Sequence, residues 1–412
     1  MYRLLNGFKI VEAASFIAAP FCTLTFAQLG ADVIRIDPIG GGPDFHRWPL
    51  APSGASLYWE GLNKGKRSIA IDLARPEGRE LAVALVTRSG PSTGHFVTNY
   101  PASSFFAHDK LAARRPDLIT VRVTGSSDGR NAVDYTVNCA AGYPWMTGPA
   151  DMKAPVNHVL PAWDVTAGLT AAVALLAAAQ TRAQTGEGRE IKVPLSNVAF
   201  GVLSALGNLA EVSIMGKDRP SYGNALYGSF GRDFLTADRR RLMIVAITRR
   251  QWTGLIAVLG LASEIAALES RLGADFAADE GLRFIHRKTL FDLVEQRVSA
   301  RQLKDLAEAF DRHAVCWGEY HTVGEALQQD ARLTSANPMF EPVAQPSGET
   351  YLAAGFPGVI ATAERMSIQP ARRLGADTDA ILSEELGLKT REIGRLHDLG
   401  IVAESDKADG YA

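Results

Sequence analysis

The sequence predicts an α/β fold, with a doubly wound, Rossmann-like large domain and a smaller α+β domain. Three observations predict it. Residues 8 to 37 read as strand, helix, strand. The alternation recurs as far as about residue 193. Beyond Gly216 it gives way to a hairpin and a run of helices. The length of 412 residues agrees, since about 150 residues per domain allows two or three.

Taken in order, Phe8 to Ala13 alternates as a short buried strand. Pro20 suits a helix start, where its missing N–H is not needed, and Phe21 to Leu29 is apolar and helical. Gly30 closes that helix as a C-terminal cap. Val33 to Asp37 is a β-branched strand ending in an acid, so the two strands flank a helix and run parallel. The turn from Ala14 to Ala19 contains no glycine. A G-x-G-x-x-G turn lets a pyrophosphate approach the backbone, so its absence argues against NAD, and Asp37 reads as a solvated strand end.

Further strands are read at Arg67 to Leu73, His95 to Thr98, Leu118 to Val123 and Glu190 to Val193, with a helix at Pro76 to Val86. A long helix runs from Asp164 to about Thr185; its Ala/Leu-rich stretch, Gly168 to Ala179, reads as buried. Leu195 to about Met215 is helical. Phe234 to Thr236 and Leu242 to Ile247 form a hairpin turning at Ala237 to Arg240, and helices follow to about Ala309. Ile381 to Ile401 reads as two short helices. The expected domains are 1–218, 219–329 and a segment 330–412 returning to the large domain.

Composition excludes several classes. A net charge of −2 provides no basic field for nucleic acid or an anionic membrane. Cys22, Cys139 and Cys316 are odd in number and far apart, which argues against a disulfide framework or thiolate zinc site and fits the cytoplasm. No run reaches the roughly 18 apolar residues expected of a membrane span. The eight histidines, His46, His95, His108, His158, His286, His313, His321 and His397, show no metal-ligand spacing, so no metal is expected. There is no G-x-S-x-G elbow.

Two features carry possible chemistry. Lys64-Gly65-Lys66-Arg67 is either a solvated loop or a phosphate contact. Asp164, in Pro161-Ala162-Trp163-Asp164 at the helix start, is either an N-cap or a nucleophile. The positive end of a helix would keep such a carboxylate ionised.

Several blocks, in this order and spacing, resemble class III CoA-transferases. They are Gly7 to Glu12, Ala19-Pro20 and Leu29 to Ile34; Asn63 with Lys66 to Leu73; Asp164 with Gly168 and Thr185 to Gly188; and Leu374-Gly375 with Thr378-Asp379. The resemblance spans nearly the whole chain. It implies a two-domain subunit in an interlocked homodimer, with coenzyme A brought in as part of the substrate and no tightly bound cofactor. It implies Asp164 as the nucleophile and Phe16, Ile17, Ala18, Ile71, Asn99 and Tyr100 as the lining of the CoA site, where Lys66 and Arg67 would meet phosphate.

Two departures stand out. Pro38 replaces a residue that is often basic in the family, and Gly223 to Gly231 is the nearest counterpart of its glycine-rich flap. Racemase relatives carry G-H-D where this chain has Ala132-Val133-Asp134, and Val133 cannot move a proton. Residues 37–42, 47–49, 61–67, 157–164 and 226–234 resemble most the branch that moves CoA within one dicarboxylate. His46, Arg47 and Tyr227 are then candidates for the distant carboxylate, and backbone amides near Asp164 or Gly228 for the oxyanion. An intermolecular transferase and a non-catalytic acyl-CoA binding protein are the alternatives.

Overall fold

A computed structural model describes residues 1–404. The chain divides into two units: Met1–Ala141, His158–Ala210 and Ala331 onward form the first, and Gly142–Asn157 with Glu211–Asp330 form the second. Gly142–Asn157, expected in the large domain, thus belongs to the second unit.

The first unit begins β1 (Lys9–Ala13), α1 (Ala18–Gln28), β2 (Asp32–Pro38), α2 (Leu57–Asn63), β3 (Arg67–Ile71), α3 (Pro76–Thr87), β4 (His95–Thr98), α4 (His108–Arg114), β5 (Ile119–Thr124) and α5 (Asp134–Ala141). After α6 (Tyr143–Met146), in the second unit, it resumes with α7 (Ala162–Thr185), β6 (Arg189–Pro194) and α8 (Leu195–Ala205), and α9 (Asn208–Met215) crosses the boundary. The stretch expected as one helix from Leu195 to Met215 is therefore two, bent by 63° at residues 206–207.

The second unit contains a three-stranded antiparallel sheet of β7 (Phe230–Leu235), β8 (Arg241–Ala246) and β9 (Cys316–Glu319). Thr236 and Arg240 close the β7–β8 hairpin where the turn is expected. Its helices are α10 (Arg249–Leu259), α11 (Ala262–Leu272), α12 (Glu280–Ile285), α13 (Arg287–Val298), α14 (Leu303–Arg312) and α15 (Val323–Gln329). Its core gathers Phe230, Phe234, Trp252, Phe276, Phe291 and Phe310. Back in the first unit, β10 (Phe340–Ala344) and β11 (Thr350–Ala354) pair with each other, and α16 (Thr378–Leu386), α17 (Thr390–Asp398) and β12 (Val402–Ala403) follow.

The main sheet has seven strands in the order β12-β3-β2-β1-β4-β5-β6. All pair in parallel except β12, which runs antiparallel against β3. The strand order reverses direction between β1 and β4, and ligands of doubly wound sheets bind outside the carboxyl ends of the strands at such a point.

Strand alternation assigns the two faces. Val11, Ala13, Ile34, Ile36 and Phe96 join one apolar core with residues of α3, α16 and α17. The intervening Glu12, Arg35 and Asp37 point the other way, towards α1 and α2: Glu12 meets Thr23 of α1, and Arg35 meets Asn63 of α2. Asp37 is therefore not a solvated strand end. It is buried and accepts from Nε and Nη2 of Arg35 at 2.8 and 2.9 Å.

α1 and α7 pack on each other, and at Gly168 they approach too closely for a side chain. A Cβ there would stand 2.7 Å from the Ala18 carbonyl oxygen. α7 is not the buried helix that its composition predicts. Trp163, Ala167, Gly168, Ala171, Ala172, Leu175 and Ala178 are buried, but Leu169, Val173 and Leu176 are exposed. By length and composition alone α7 could cross a membrane, and 39% of its most apolar window is buried.

Candidate active site

At the switch point, Asn99 after β4 ties down the turn after β1: its side chain accepts from the Ser15 N–H at 3.2 Å and donates to the Ser15 carbonyl at 2.8 Å. The next residue, Phe16, takes a left-handed backbone (φ 69°), costly for a bulky side chain and maintained only when neighbours enforce it. Asp44 does so by accepting the Phe16 N–H at 3.0 Å. Arg35 anchors Asp44 in turn, at 3.3 Å. The buried charges are thus the footing of this turn.

Arg47 and Tyr58 complete one side. The Arg47 guanidinium lies 5.6 Å from the Phe16 ring centre and 5.5 Å from that of Tyr58, within cation–π reach of both. The Tyr58 hydroxyl is buried and has no hydrogen-bond partner among the described residues. Burial raises its pKa strongly; Arg47 opposes this, while Asp44 and Asp164 add to it.

Asp164 occupies the third position of α7, since the helix begins at Ala162 with Pro161 before it. It is not the N-cap. The cap comes from Asp134, the first residue of α5, whose Oδ2 accepts the backbone N–H groups of Trp163 at 2.6 Å and Asp164 at 3.1 Å. Its Oδ1 lies 2.6 Å from His158 Nε2. The helix start does not hold the proton affinity of Asp164 down. Burial first, and then the charge of Asp134, push Asp164 up to about 6, against the opposing pull of Arg47. The amides of Trp163 and Asp164 are engaged by Asp134, so they do not stand open as oxyanion donors.

The other expected residues are distributed unevenly. Phe16, Ile17, Ala18 and Asn99 come together at the switch point, with Ile17 preceding α1 and Ala18 beginning it. Tyr100 and Ile71 lie at the carboxyl ends of β4 and β3, with their side chains in or against the apolar core. Lys66 is buried, and its ammonium donates to Glu12 at 2.8 Å and to the Pro20 carbonyl and Asn63 at 2.9 Å. An ammonium has three protons, so Lys66 has none left for a phosphate. Arg67 sits near the amino ends of the strands and pairs with Asp32, Glu384 and Glu385. Neither fills the expected phosphate role.

His46 is exposed, edge-on to Phe45. Tyr227 and Gly228 belong to the second unit, where the Tyr227 hydroxyl donates to Glu211 at 2.8 Å and Arg219 covers its ring. Sequence reasoning missed Tyr58, Asp44 and the Asp134–His158 pair. Asp134 did have a signal, because it is the one position of the racemase triplet this chain retains. Elsewhere Asp379, His397 and Glu404 bring potential ligand atoms within 4.8 Å of one another on a solvent-accessible edge.

A half-buried carboxylate beside a switch point walled by Phe16, Arg47 and Tyr58 suits acyl transfer better than dinucleotide redox chemistry. The chain belongs to CoA-transferase family III, whose model matches residues 5–378. It is 48% identical to the 2-methylfumaryl-CoA isomerase of Chloroflexus aurantiacus over 409 residues, which cover 99% of this chain and all of that one. It is 26% identical to the succinyl-CoA:mesaconate CoA-transferase of Haloarcula hispanica, over 84% of this chain and 93% of that one. A crystal structure of a CAIB/BAIF family protein from Brucella suis superposes with a TM-score of 0.75 at 25% identity, over 93% of this chain and 100% of that one.

Proposed function

We propose that the protein moves CoA between the two carboxyl groups of one mesaconyl unit, converting 2-methylfumaryl-CoA to 3-methylfumaryl-CoA. The observation that carries this reading is Asp164 itself: a half-buried carboxylate, raised to about 6, coupled to the exposed Arg47 cation. The likeness to the Chloroflexus isomerase over full length supplies the substrate.

In this reading the Asp164 carboxylate attacks the C1 thioester carbonyl, and the C–S bond breaks to give a mixed anhydride and CoA thiolate. The thiolate attacks the aspartyl carbonyl, forming an aspartyl-CoA thioester and freeing mesaconate. The C4 carboxylate then attacks that thioester and expels the thiolate again. Thiolate attack on the C4 carbonyl gives the product and restores Asp164. No net proton is consumed. Because donor and acceptor carboxylates share one molecule, the effective molarity of the acceptor can reach about 10⁵ M or more.

Arg47 suits the carboxylate that is not reacting, since a guanidinium binds carboxylate in a planar fork. The unpartnered Tyr58 hydroxyl suits the developing oxyanion, in place of the amides that Asp134 occupies. The exposed apolar residues Leu169, Val173 and Leu176 of α7 support a second copy of the chain as its partner.

The test is to give purified protein 2-methylfumaryl-CoA alone and follow the 3-methyl isomer by chromatography. Conversion without added acid, with no exchange of labelled free mesaconate, is the expected result. Turnover only with a free acid would make it an intermolecular transferase, and binding without turnover an acyl-CoA carrier.

A further inference from the structure

The cap on α7 has an unusual source. The residue before the helix, Pro161, has no side-chain acceptor, and the amides of Trp163 and Asp164 are held instead by a carboxylate from another helix. For stability alone, a neutral Ser or Asn would cap as well. A second carboxylate beside the half-buried Asp164 adds to the penalty on its ionisation. Asp134 is itself buried, and its free oxygen is held by His158 at 2.6 Å. Thus one oxygen is fixed by the ring while the other spans two amides, one of them the N–H of Asp164.

We infer that Asp134, oriented by His158, is a positioning residue that fixes the backbone of Asp164 and, by its own charge, sets the nucleophilicity of the Asp164 carboxylate. The inference rests on reading Asp164 as the nucleophile. The charged and titratable groups around that carboxylate are few. Asp134 of α5 pushes its proton affinity up, Arg47 from the loop after β2 pulls it down, and Tyr58 of α2 is coupled to it. His158 acts through Asp134. A more basic carboxylate is a stronger nucleophile once ionised, and near neutral pH most of Asp164 is ionised.

Asp134→Asn tests this in the full chain. It keeps an acceptor oxygen for both amides and removes the charge. With ¹³C-labelled aspartate, the Asp164 resonance is identified by its loss in Asp164→Asn. Its titration midpoint, near 6 in the parent protein, should fall by about one pH unit in Asp134→Asn. The acid limb of kcat/KM should fall with it, and kcat at pH 8 by about tenfold, while CoA affinity changes less than about twofold. His158→Phe should lower kcat at unchanged KM, and His158→Gln, which can still donate, should restore much of it. A folded Asp134→Asn with unmoved midpoint and acid limb overturns the inference, and Asp134→Asn carries that test even where Asp134→Ala fails to fold. Activity surviving in Asp164→Asn overturns the nucleophile reading, and the control of its nucleophilicity with it. An inactive Asp164→Asn with an unmoved midpoint in Asp134→Asn overturns only the positioning role.

Discussion

The Arg47 guanidinium lies 5.6 Å from the centre of the Phe16 ring, and Phe16 is the residue whose backbone is forced left-handed at the end of β1. The cation is therefore aligned by an aromatic face that the sheet itself aims. Lysine would keep the charge but lose the planar fork and the stacking. Arg47→Lys should lower kcat/KM by about 10–100-fold, mainly through KM. Arg47→Met should also move the acid limb of the rate profile upward, because Arg47 opposes the rise of the Asp164 pKa. Steady-state kinetics across pH 5–8 checks both.

Tyr58→Phe removes a buried hydroxyl that has no partner among the described residues. Its loss should leave stability unchanged or slightly raised, because an unsatisfied buried polar group is itself a cost. Catalysis should suffer by about 10²-fold in kcat, the scale of one oxyanion donor. Thermal melts and turnover of the same preparation separate the two effects.

Asp164 should weaken the fold it serves. Its raised folded-state pKa stabilises the protein fully below the ordinary 3.8, and that contribution disappears as pH climbs through about 6. The span corresponds to up to about 3 kcal/mol, less what solvent screening removes. Asp164→Asn should therefore melt higher than the parent at pH 8 and show little gain at pH 4. Activity should be lost, and hydroxylamine should no longer trap an aspartyl adduct.

Lys66→Met should act on stability. It leaves Glu12 buried with Arg35 as its remaining cation, and breaking such a pair costs about 3–5 kcal/mol. Denaturant unfolding should show this loss, while the folded fraction binds CoA with near-normal affinity. A rise in the dissociation constant for CoA at intact stability would contradict the internal role of Lys66.

Much of the first unit was legible because its strands carry β-branched residues facing one apolar core and its helices are closed by Gly30 and Gly186, both of positive φ. What misled was charge. Arg35, Asp37 and Lys66 look solvated in one dimension, and only the sheet's second face, closed by α1 and α2, brings them together. Asp164 was visible, but its electrostatics were not: they come first from burial and then from a carboxylate 30 residues upstream. The two-residue strand β12 carries too little pattern for any reading to find.

That strand has a consequence for how the protein is made. Val402 and Ala403 pair with Ile71 and Ala70, so the edge of β3 lacks its neighbour until residues 402–403 have left the ribosome. During synthesis of the intervening 330 residues the nascent sheet presents a row of open amides and carbonyls, the arrangement that recruits other strands. Completion of the first unit thus waits for residues 402–403, and a nascent chain halted before residue 402 should be an aggregation-prone substrate for chaperones.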